Sequence, residues 1–437
     1  MKTFAIHTLG CKVNTYESEA IVRLFEAHDY HKISFKEVAD VYVINTCTVT
    51  NTGDSKSRQI IRRAIRKNPE AVVCVVGCYA QVAPSDIEAI EGVDIILGTQ
   101  FRHQIVDLVE DHIKSKQRIT KISDVMKEKE FEELDVDVFT ENTRAFLKIQ
   151  DGCNNFCTYC IIPYARGLVR SRKPESVLKQ AQTLVDHGFV EIVLTGIHTG
   201  AYGIDLDHYR FYDLLVDLVE KTKGLKRLRI SSIEINQITD EVIDLIKNNP
   251  IIVDHLHVPL QSGSDGVLKR MRRKYTCAQY LEKIEQIRSV LPNIAFTTDV
   301  IVGFPQETQE EFNETYAFIQ QVGYSELHVF PYSKRRNTPA AAMEGQVDEA
   351  IKNERVKALI DLSKQLHVNY AKKFMDKTVD VIFEETFDEE RLIGHAGNYL
   401  KVIAKADPKW IGQVMPVTIK EVSVLGITGE VLEGEGL

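Results

Sequence analysis

Short apolar runs alternate along most of the chain with stretches in which apolar residues recur every three or four positions. Between residues 1 and 113, runs at Lys2–Thr8, Val41–Asn45, Val72–Val76 and Asp94–Leu97 predict strands. The segments near 15–27, 54–67, 84–90 and 101–113 predict the helices between them. Such alternation indicates an open α/β sheet with helices on its faces. Residues 114–141, centred on KEKEFEELDVD, are charged and predict a solvated connection. A second alternation occupies 142–372, with strands expected at Arg144–Ile149, Glu191–Thr195, Lys226–Ser231, His255–Leu260, Phe296–Val302 and Glu326–Phe330. Helices are expected near 174–187, 209–222, 237–247, 276–290 and 309–322, with a closing helix near 347–372. Six βα units fit a partial (β/α)6 barrel whose strand C-terminal ends form the chemical face.

The period changes again over 373–437, where strands are expected at Thr378–Phe383, Arg391–His395, Leu400–Ala404, Val414–Glu421 and Val424–Leu432. Glycines 394, 397, 412, 426 and 429 fall at or near their turns, which suits a small antiparallel β-barrel. Small barrels of this kind often bind RNA. The expected fold class is α/β multidomain, with units at 1–141, 142–372 and 373–437.

Composition narrows the function. At 437 residues the chain has room for about three domains. No apolar run reaches the roughly 18 residues of a membrane helix, and MKTFAIHTLGC is too short an apolar start for a signal peptide. A cytoplasmic location without a membrane partner is expected. The net charge of −9 argues against binding nucleic acid by global charge but allows local basic surfaces. Eight cysteines are too sparse for a disulfide scaffold, and their uneven clustering points to metal or iron–sulfur ligation.

In QDGCNNFCTYCIIPYARG, Cys153, Cys157 and Cys160 stand at C-x3-C-x2-C spacing directly after the first predicted barrel strand. Three thiolates can hold three irons of a cubane cluster and leave the fourth iron open. Structural zinc usually takes four ligands, and ferredoxin clusters take four cysteines. A zinc or purely structural cluster remains the competing assignment. The segment, with Gly152, Phe156 and Tyr159, resembles the signature of radical S-adenosylmethionine (SAM) enzymes. That resemblance implies SAM chelated at the open iron and reductive cleavage to a 5′-deoxyadenosyl radical. It also implies an external electron donor.

Cys11 in TLGCKVNTYES, Cys47 in VINTCTVT and Cys78 in VVGCYAQ each follow a predicted strand by a few residues. Any one alone would be ordinary packing. In this order before the radical-SAM signature, the three segments resemble the N-terminal domain of the methylthiotransferases. The resemblance implies a second 4Fe-4S cluster whose open iron carries incoming sulfur, two clusters in all, and an unidentified sulfur source. Cys74, in an apolar run, is expected in the core, and Cys277, at a helix start, is expected to be structural.

Radical-SAM enzymes hold their cosubstrate at strand ends, so the resemblance directs attention to LTGIHTGAYG, RISSIE, HLHVPLQSGS and TTDVIVGFPQET. Candidate SAM contacts are Tyr159, Gly196, Ser232, Glu234, Gln261 and Asp299. The family's Gly-Gly-Glu is absent after the second strand, which leaves individual contacts there unassigned. Asp299 lies on an apolar strand, where an unpaired carboxylate is costly, so a hydrogen-bonding or basic partner is expected. No protein general base is proposed.

Basic residues gather in several runs: Lys56, Arg58, Arg62, Arg63, Arg66 and Lys67; Lys269, Arg270, Arg272, Arg273 and Lys274; Arg166, Arg170, Arg172 and Lys173; and Lys334, Arg335 and Arg336. They are candidates for RNA phosphates. The terminal barrel resembles the family's TRAM-type RNA-binding domain, with Phe374, His395, Asn398, Tyr399 and Trp410 as possible contributors or core. Within the family, GCKVNTYES and HTGAYG look most like the branch acting on N6-threonylcarbamoyladenosine. The implied reaction is 2-methylthiolation of that base at tRNA position 37: one SAM methylates the bound sulfur, and another yields the radical that takes hydrogen from adenine C2. The alternatives are N6-isopentenyladenosine, a ribosomal-protein aspartate, or a noncatalytic metal-containing RNA-binding protein. The sequence leaves the oligomeric state open.

Overall fold

The computed structural model describes residues 2–139 and 143–432. Its first unit is a six-stranded sheet ordered Tyr30–Lys32, Lys2–Thr8, Val41–Thr46, Val72–Gly77, Ile95–Leu97 and Ile119–Lys121, parallel throughout. Every residue of the two central strands is buried. Continuous apolar runs are what a parallel sheet covered on both faces requires. Phe4, Val43, Cys74 and Ile95 face Ile21, Phe25 and Val109 on one side. Ala5, Ile44, Val75 and Ile96 face Ile61, Tyr79 and Ile87 on the other. Cys74 is core.

The connection after this sheet is not the solvated segment its charge suggests. Ile119–Lys121 adds the edge strand, and Leu134, Val136 and Phe139 are buried in the same core as Val177, Ala181 and Leu184 of the helix Pro174–Asp186. Acidic residues alternate with these apolar ones, and Arg172 meets Glu133 at 2.7 Å and Asp135 at 3.3 Å.

The second unit has strands Ala145–Lys148, Glu191–Thr195, Arg227–Ile230, His255–His257, Ala295–Val302 and Glu326–Pro331. They form two parallel three-stranded sheets, joined by bridges between Leu228 and Ile252 and between Ser232 and His257. The result is an open, partial barrel, with the helix Glu349–Ala371 packed on its last strands.

Thr378–Thr386, Arg391–Ala396, Lys401–Lys405, Val414–Ser423 and Gly426–Val431 make the closed terminal barrel. Four of its pairings are antiparallel, and closure comes from a parallel one between Lys401–Lys405 and Gly426–Val431. Its core continues into Ala295, Tyr370, Ala371 and Phe374, which fixes it to the barrel.

Candidate functional site

Cys11 caps the helix Lys12–Glu26, Cys47 follows the strand Val41–Thr46, and Cys78 opens the short helix after Val72–Gly77. The three strands concerned are neighbours in the sheet, so their carboxyl ends bring together thiols 36 and 31 residues apart in sequence. Glycine is required between them: a Cβ on Gly10 (φ +111°) would stand 3.0 Å from the Cys47 sulfur. Burial raises the Cys47 thiol and pushes Cys78 up to about 12; in both, neighbouring thiols add to the effect and Arg166 opposes it.

Arg166 is fully buried behind this group. Its Nε donates to Cys78 Sγ at 3.2 Å, Nη1 to Glu17 at 2.7 Å and to Asp151, and Nη2 to the Asn14 side-chain Oδ1 at 2.9 Å. Glu17 also pairs with Arg102 at 2.5 Å and Lys148 at 2.7 Å, and Lys148 reaches Asp151 at 2.6 Å. Glu132, from the charged connection, closes on Arg102 at 2.7 Å. Three buried cations thus meet three buried carboxylates, which is the condition for keeping charge out of water. Sequence reading missed Glu17, Arg102, Lys148 and Asp151; the signal was ionic residues set inside apolar strand and helix patterns.

The second thiol group lies in the loop after the first barrel strand. Gly152 has φ +74°, and a Cβ there would fall 1.8 Å from the Leu168 carbonyl oxygen. Gln150, also missed, braces the turn: its amide donates to the carbonyls of Asp151 at 2.5 Å and Gly152 at 2.7 Å, and its oxygen accepts from the His198 backbone at 2.8 Å. Cys153 N–H donates to Gly167 O, and Cys160 N–H to Cys157 O, both at 3.0 Å. Arg273 Nη1 donates to Cys157 Sγ at 3.5 Å, and His198 Nδ1 lies 3.7 Å from Cys153 Sγ. Burial pushes Cys153 up to about 11 and Cys160 to about 12, with Cys157 adding to both. Among the described residues, no three His, Cys, Asp or Glu converge closely enough to hold a single metal ion.

Beside these thiols is a recess of about 190 Å³, lined by Asn154, Cys157, His198, Glu234 and Arg273 among others. Of the candidate SAM contacts, Glu234 lines it, with its carboxylate paired to Arg273. Tyr159 packs against the cluster of Phe304 and Tyr332. Gly196 backs onto Gln150, whose Oε1 would be 3.0 Å from an added Cβ. Ser232 is exposed and bridges to His257 through the backbone. Gln261 (φ +68°) donates its N–H to Asp299 O at 2.8 Å. The Asp299 carboxylate faces His257 at 3.3 Å and His328 at 3.9 Å. The last three candidates therefore gather along the third to fifth strands.

The basic runs shrink on folding. Arg166, Arg170, Arg172, Arg273 and Arg335 have buried side chains, and Arg270 pairs with Glu311 at 2.6 Å. Lys56, Arg62, Arg63 and Arg66 remain exposed on the helix Asn51–Lys67, with Lys269, Arg272 and Lys274 on the barrel. In the terminal barrel, Phe374 and Asn398 are buried, and Tyr399 stacks between His255 at 4.5 Å and His395 at 4.8 Å. These rings join domains. Trp410 is half-buried, with Lys409 5.2 Å from its ring centre.

Residues 147–319 match the Radical SAM superfamily, and residues 3–98 match the Uncharacterized protein family UPF0004. Threonylcarbamoyladenosine tRNA methylthiotransferase MtaB of Bacillus subtilis (strain 168) is 57% identical over 423 residues, 96% of this chain and 94% of that protein. The tRNA-2-methylthio-N(6)-dimethylallyladenosine synthase of Lachnoclostridium phytofermentans is 35% identical over 441 residues, 99% and 96% of the two chains. The radical S-adenosylmethionine methyltransferase TsrM of Kitasatospora setae shares the fold, with a TM-score of 0.56 at 14% identity over 78% of this chain and 77% of that one. An open six-stranded barrel with three thiols after its first strand and the Radical SAM match define a radical-SAM enzyme. The chain belongs to the radical-SAM methylthiotransferase family.

Proposed function

We propose that this enzyme catalyses 2-methylthiolation of N6-threonylcarbamoyladenosine at position 37 of tRNA. The supporting observation is 57% identity over 96% of the chain to a relative named for that base, against 35% to one named for the dimethylallyl (isopentenyl) base. Family membership brings SAM and iron–sulfur chemistry with it. The finer assignment is two 4Fe-4S clusters, one on Cys153, Cys157 and Cys160 and an auxiliary one on Cys11, Cys47 and Cys78. Its support is chemical: each set offers three free thiols, and Gly10 and Gly152 stand where a side chain would strike Cys47 and the Leu168 carbonyl. When bound, the first group supplies the electron that cleaves SAM and the second supplies the sulfur.

The chain's own residues do the holding. Gln150 and the Gly152 turn fix the loop of the barrel thiols. Arg273 directs a donor at the Cys157 sulfur, and Arg166 directs one at the Cys78 sulfur, where it opposes the rise that burial imposes on that thiol. Tyr159, Gly196, Ser232, Glu234, Gln261 and Asp299 are the proposed SAM contacts. Exposed Lys56, Arg62, Arg63 and Arg66 are suited to tRNA phosphates. Electrons and replacement sulfur come from external donors. Residues 1–141, 142–372 and 373–437 are the proposed functional units.

Mass spectrometry of tRNA nucleosides from cells with and without the protein tests the reaction. The expected result is loss of 2-methylthio-N6-threonylcarbamoyladenosine, accumulation of its precursor, and recovery on complementation. Unchanged levels overturn the assignment, and loss of the isopentenyl product instead selects the other branch.

A further inference from the structure

Two recesses meet at Arg58. One, of about 460 Å³, lies along the helix Asn51–Lys67 and is lined by Lys56, Arg58, Arg62 and Arg66, with no carboxylate among its described lining residues. Arg58, Arg62 and Arg66 follow one another every four residues, so they share a face with about 6 Å of rise between neighbours. The other recess, of about 570 Å³, crosses the seam between the first unit and the barrel, where Arg58 is joined by Lys334, Arg335 and Arg336. Against these four cations stand two carboxylates, Asp54 and Asp86, so the wall is positive; Val82, Ala83, Ile161 and Ala341 add an apolar part. This recess borders both thiol sets. Ile161 follows Cys160, and Val82 and Ala83 end the helix that Cys78 opens. Asp54 accepts from the hydroxyl of Thr48, the residue after Cys47, at 2.8 Å. The cations are held from behind. Buried Arg335 reaches across the seam to Asp54 at 2.8 Å and to the Thr48 hydroxyl. Thr338 donates to the Arg335 carbonyl at 2.7 Å, which fixes the loop carrying Lys334 and Arg336. Arg58 donates to the hydroxyl of Tyr79, the residue after Cys78, at 2.8 Å. The Arg336 side chain is 87% exposed and 3.5 Å from Asp86, a loose surface pair that a stronger acceptor displaces.

We propose that this seam holds the sugar–phosphate backbone of the tRNA strand beside the target adenosine, with Arg58 and Arg336 on its phosphates and Arg62 and Arg66 continuing the contact along the strand. The inference rests on the tRNA reading and goes further, to the face by which the strand enters. With a net charge of −9, the chain must attract RNA through local cations. Cations repeating along one helix face suit a repeating anion better than a single one, and guanidiniums match phosphate oxygens in pairs. The seam recess falls within the roughly 300–1,000 Å³ of pockets that take ligands the size of one nucleotide. Its apolar part suits a ribose or a base. Its place between the thiol sets is what the reaction asks for, because sulfur and radical must meet at one carbon. An acidic protein could meet the outer row, but a folded surface does not thread a recess between two units.

The test measures binding of a tRNA carrying N6-threonylcarbamoyladenosine to the anaerobically reconstituted full-length enzyme, by fluorescence anisotropy between about 50 and 200 mM salt. Each phosphate contact contributes about 0.7–0.9 to the slope of log affinity against log salt. Arg58→Gln and Arg336→Gln, with wild-type thermal midpoints, should each flatten the slope by about that much, and the double variant by about twice as much. Arg336 is exposed, so its variant carries the test if Arg58→Gln is unstable. Arg336→Lys should keep the wild-type slope. Lys223→Gln, the same charge change at an exposed position after the helix Phe211–Lys221, should keep it too. A wild-type slope in the Gln variants, or equal flattening by Lys223→Gln, overturns the proposal. If the Gln variants keep the slope while wild type methylthiolates the tRNA, the seam fails and the substrate reading stands. If wild type neither binds nor modifies that tRNA, the substrate reading fails and the seam with it. If Arg336→Gln leaves tRNA binding intact and instead slows reduction by an acidic electron-carrier protein, the seam is a protein-docking face and the RNA assignment is overturned.

Discussion

The Nε of Arg166 lies 3.2 Å from the sulfur of Cys78, while its remaining nitrogens reach Glu17, Asp151 and Asn14. One guanidinium therefore touches a thiol of the sheet, the first helix and the loop of the barrel thiols. Burial pushes the Glu17 carboxyl up, yet Arg102, Arg166 and Lys148 hold it well below the usual carboxylate range. Arg166→Met leaves two buried carboxylates short of one positive charge. The expected loss is about 3–5 kcal/mol, the scale for breaking a buried ion pair from one side. Denaturant midpoints of identically prepared proteins measure it, and a loss below about 1 kcal/mol would show that the network contributes little.

The two thiol sets predict separable defects. Substituting Ala for Cys11, Cys47 or Cys78 should lower anaerobically reconstituted iron from about eight to about four per chain, as loss of one 4Fe-4S cluster demands. Reductive SAM cleavage should survive in those variants and vanish when Cys153, Cys157 or Cys160 is replaced. A wild-type sample with only about four irons, unaltered by replacing Cys78, would rule out the two-cluster arrangement.

Gly152→Ala should behave like a cysteine variant although it removes no ligand. Its Cβ would fall 1.8 Å from the Leu168 carbonyl oxygen at φ +74°, and carbonyl backbone cannot swing aside as a flexible side chain can. The turn must open, at a cost of order 1–3 kcal/mol, and the Cys153 N–H bond to Gly167 goes with it. Iron content and SAM cleavage check this: about half the iron should remain, with cleavage lost. Full iron with normal cleavage would show that the turn tolerates a side chain.

Much of the fold was legible because buried parallel strands are continuous apolar runs; VYVINT and VVCVVG announce themselves. The edge strands Tyr30–Lys32 and Ile119–Lys121 were not legible, since three residues paired through backbone alone leave no pattern. Leu134, Val136 and Phe139 were hidden by the acidic residues between them. Spacing and order drew attention to the two groups of cysteines, but nothing local in Arg170, Arg172 or Arg335 says that folding will bury a guanidinium. Burial depends on partners far along the chain, as Arg335 with Asp54 at 2.8 Å shows. For the same reason the Arg144–Glu191–Glu384 corner, assembled from two domains, could not be seen in the sequence.

The stack of His255 on Tyr399, with ring centres 4.5 Å apart and planes 15° from parallel, predicts an acid-sensitive joint between barrel and terminal domain. Burial, then Arg229 and His257, lowers the His255 pKa well below its usual 6.5, so the ring is neutral in the folded protein. A histidine depressed in this way binds fewer protons folded than open. Its contribution is complete above pH 6.5 and is lost as pH falls toward the folded-state value. The slope is at most about 1.4 kcal/mol per pH unit. Protection of the Ala396 and Tyr399 amides, which close the adjoining turn, should fall between pH 7 and about pH 5 in native-state hydrogen exchange after correction for intrinsic rates. His255→Gln, which carries no titrating ring, should flatten that dependence. Parallel pH profiles in wild type and variant would mean that another group loosens the joint.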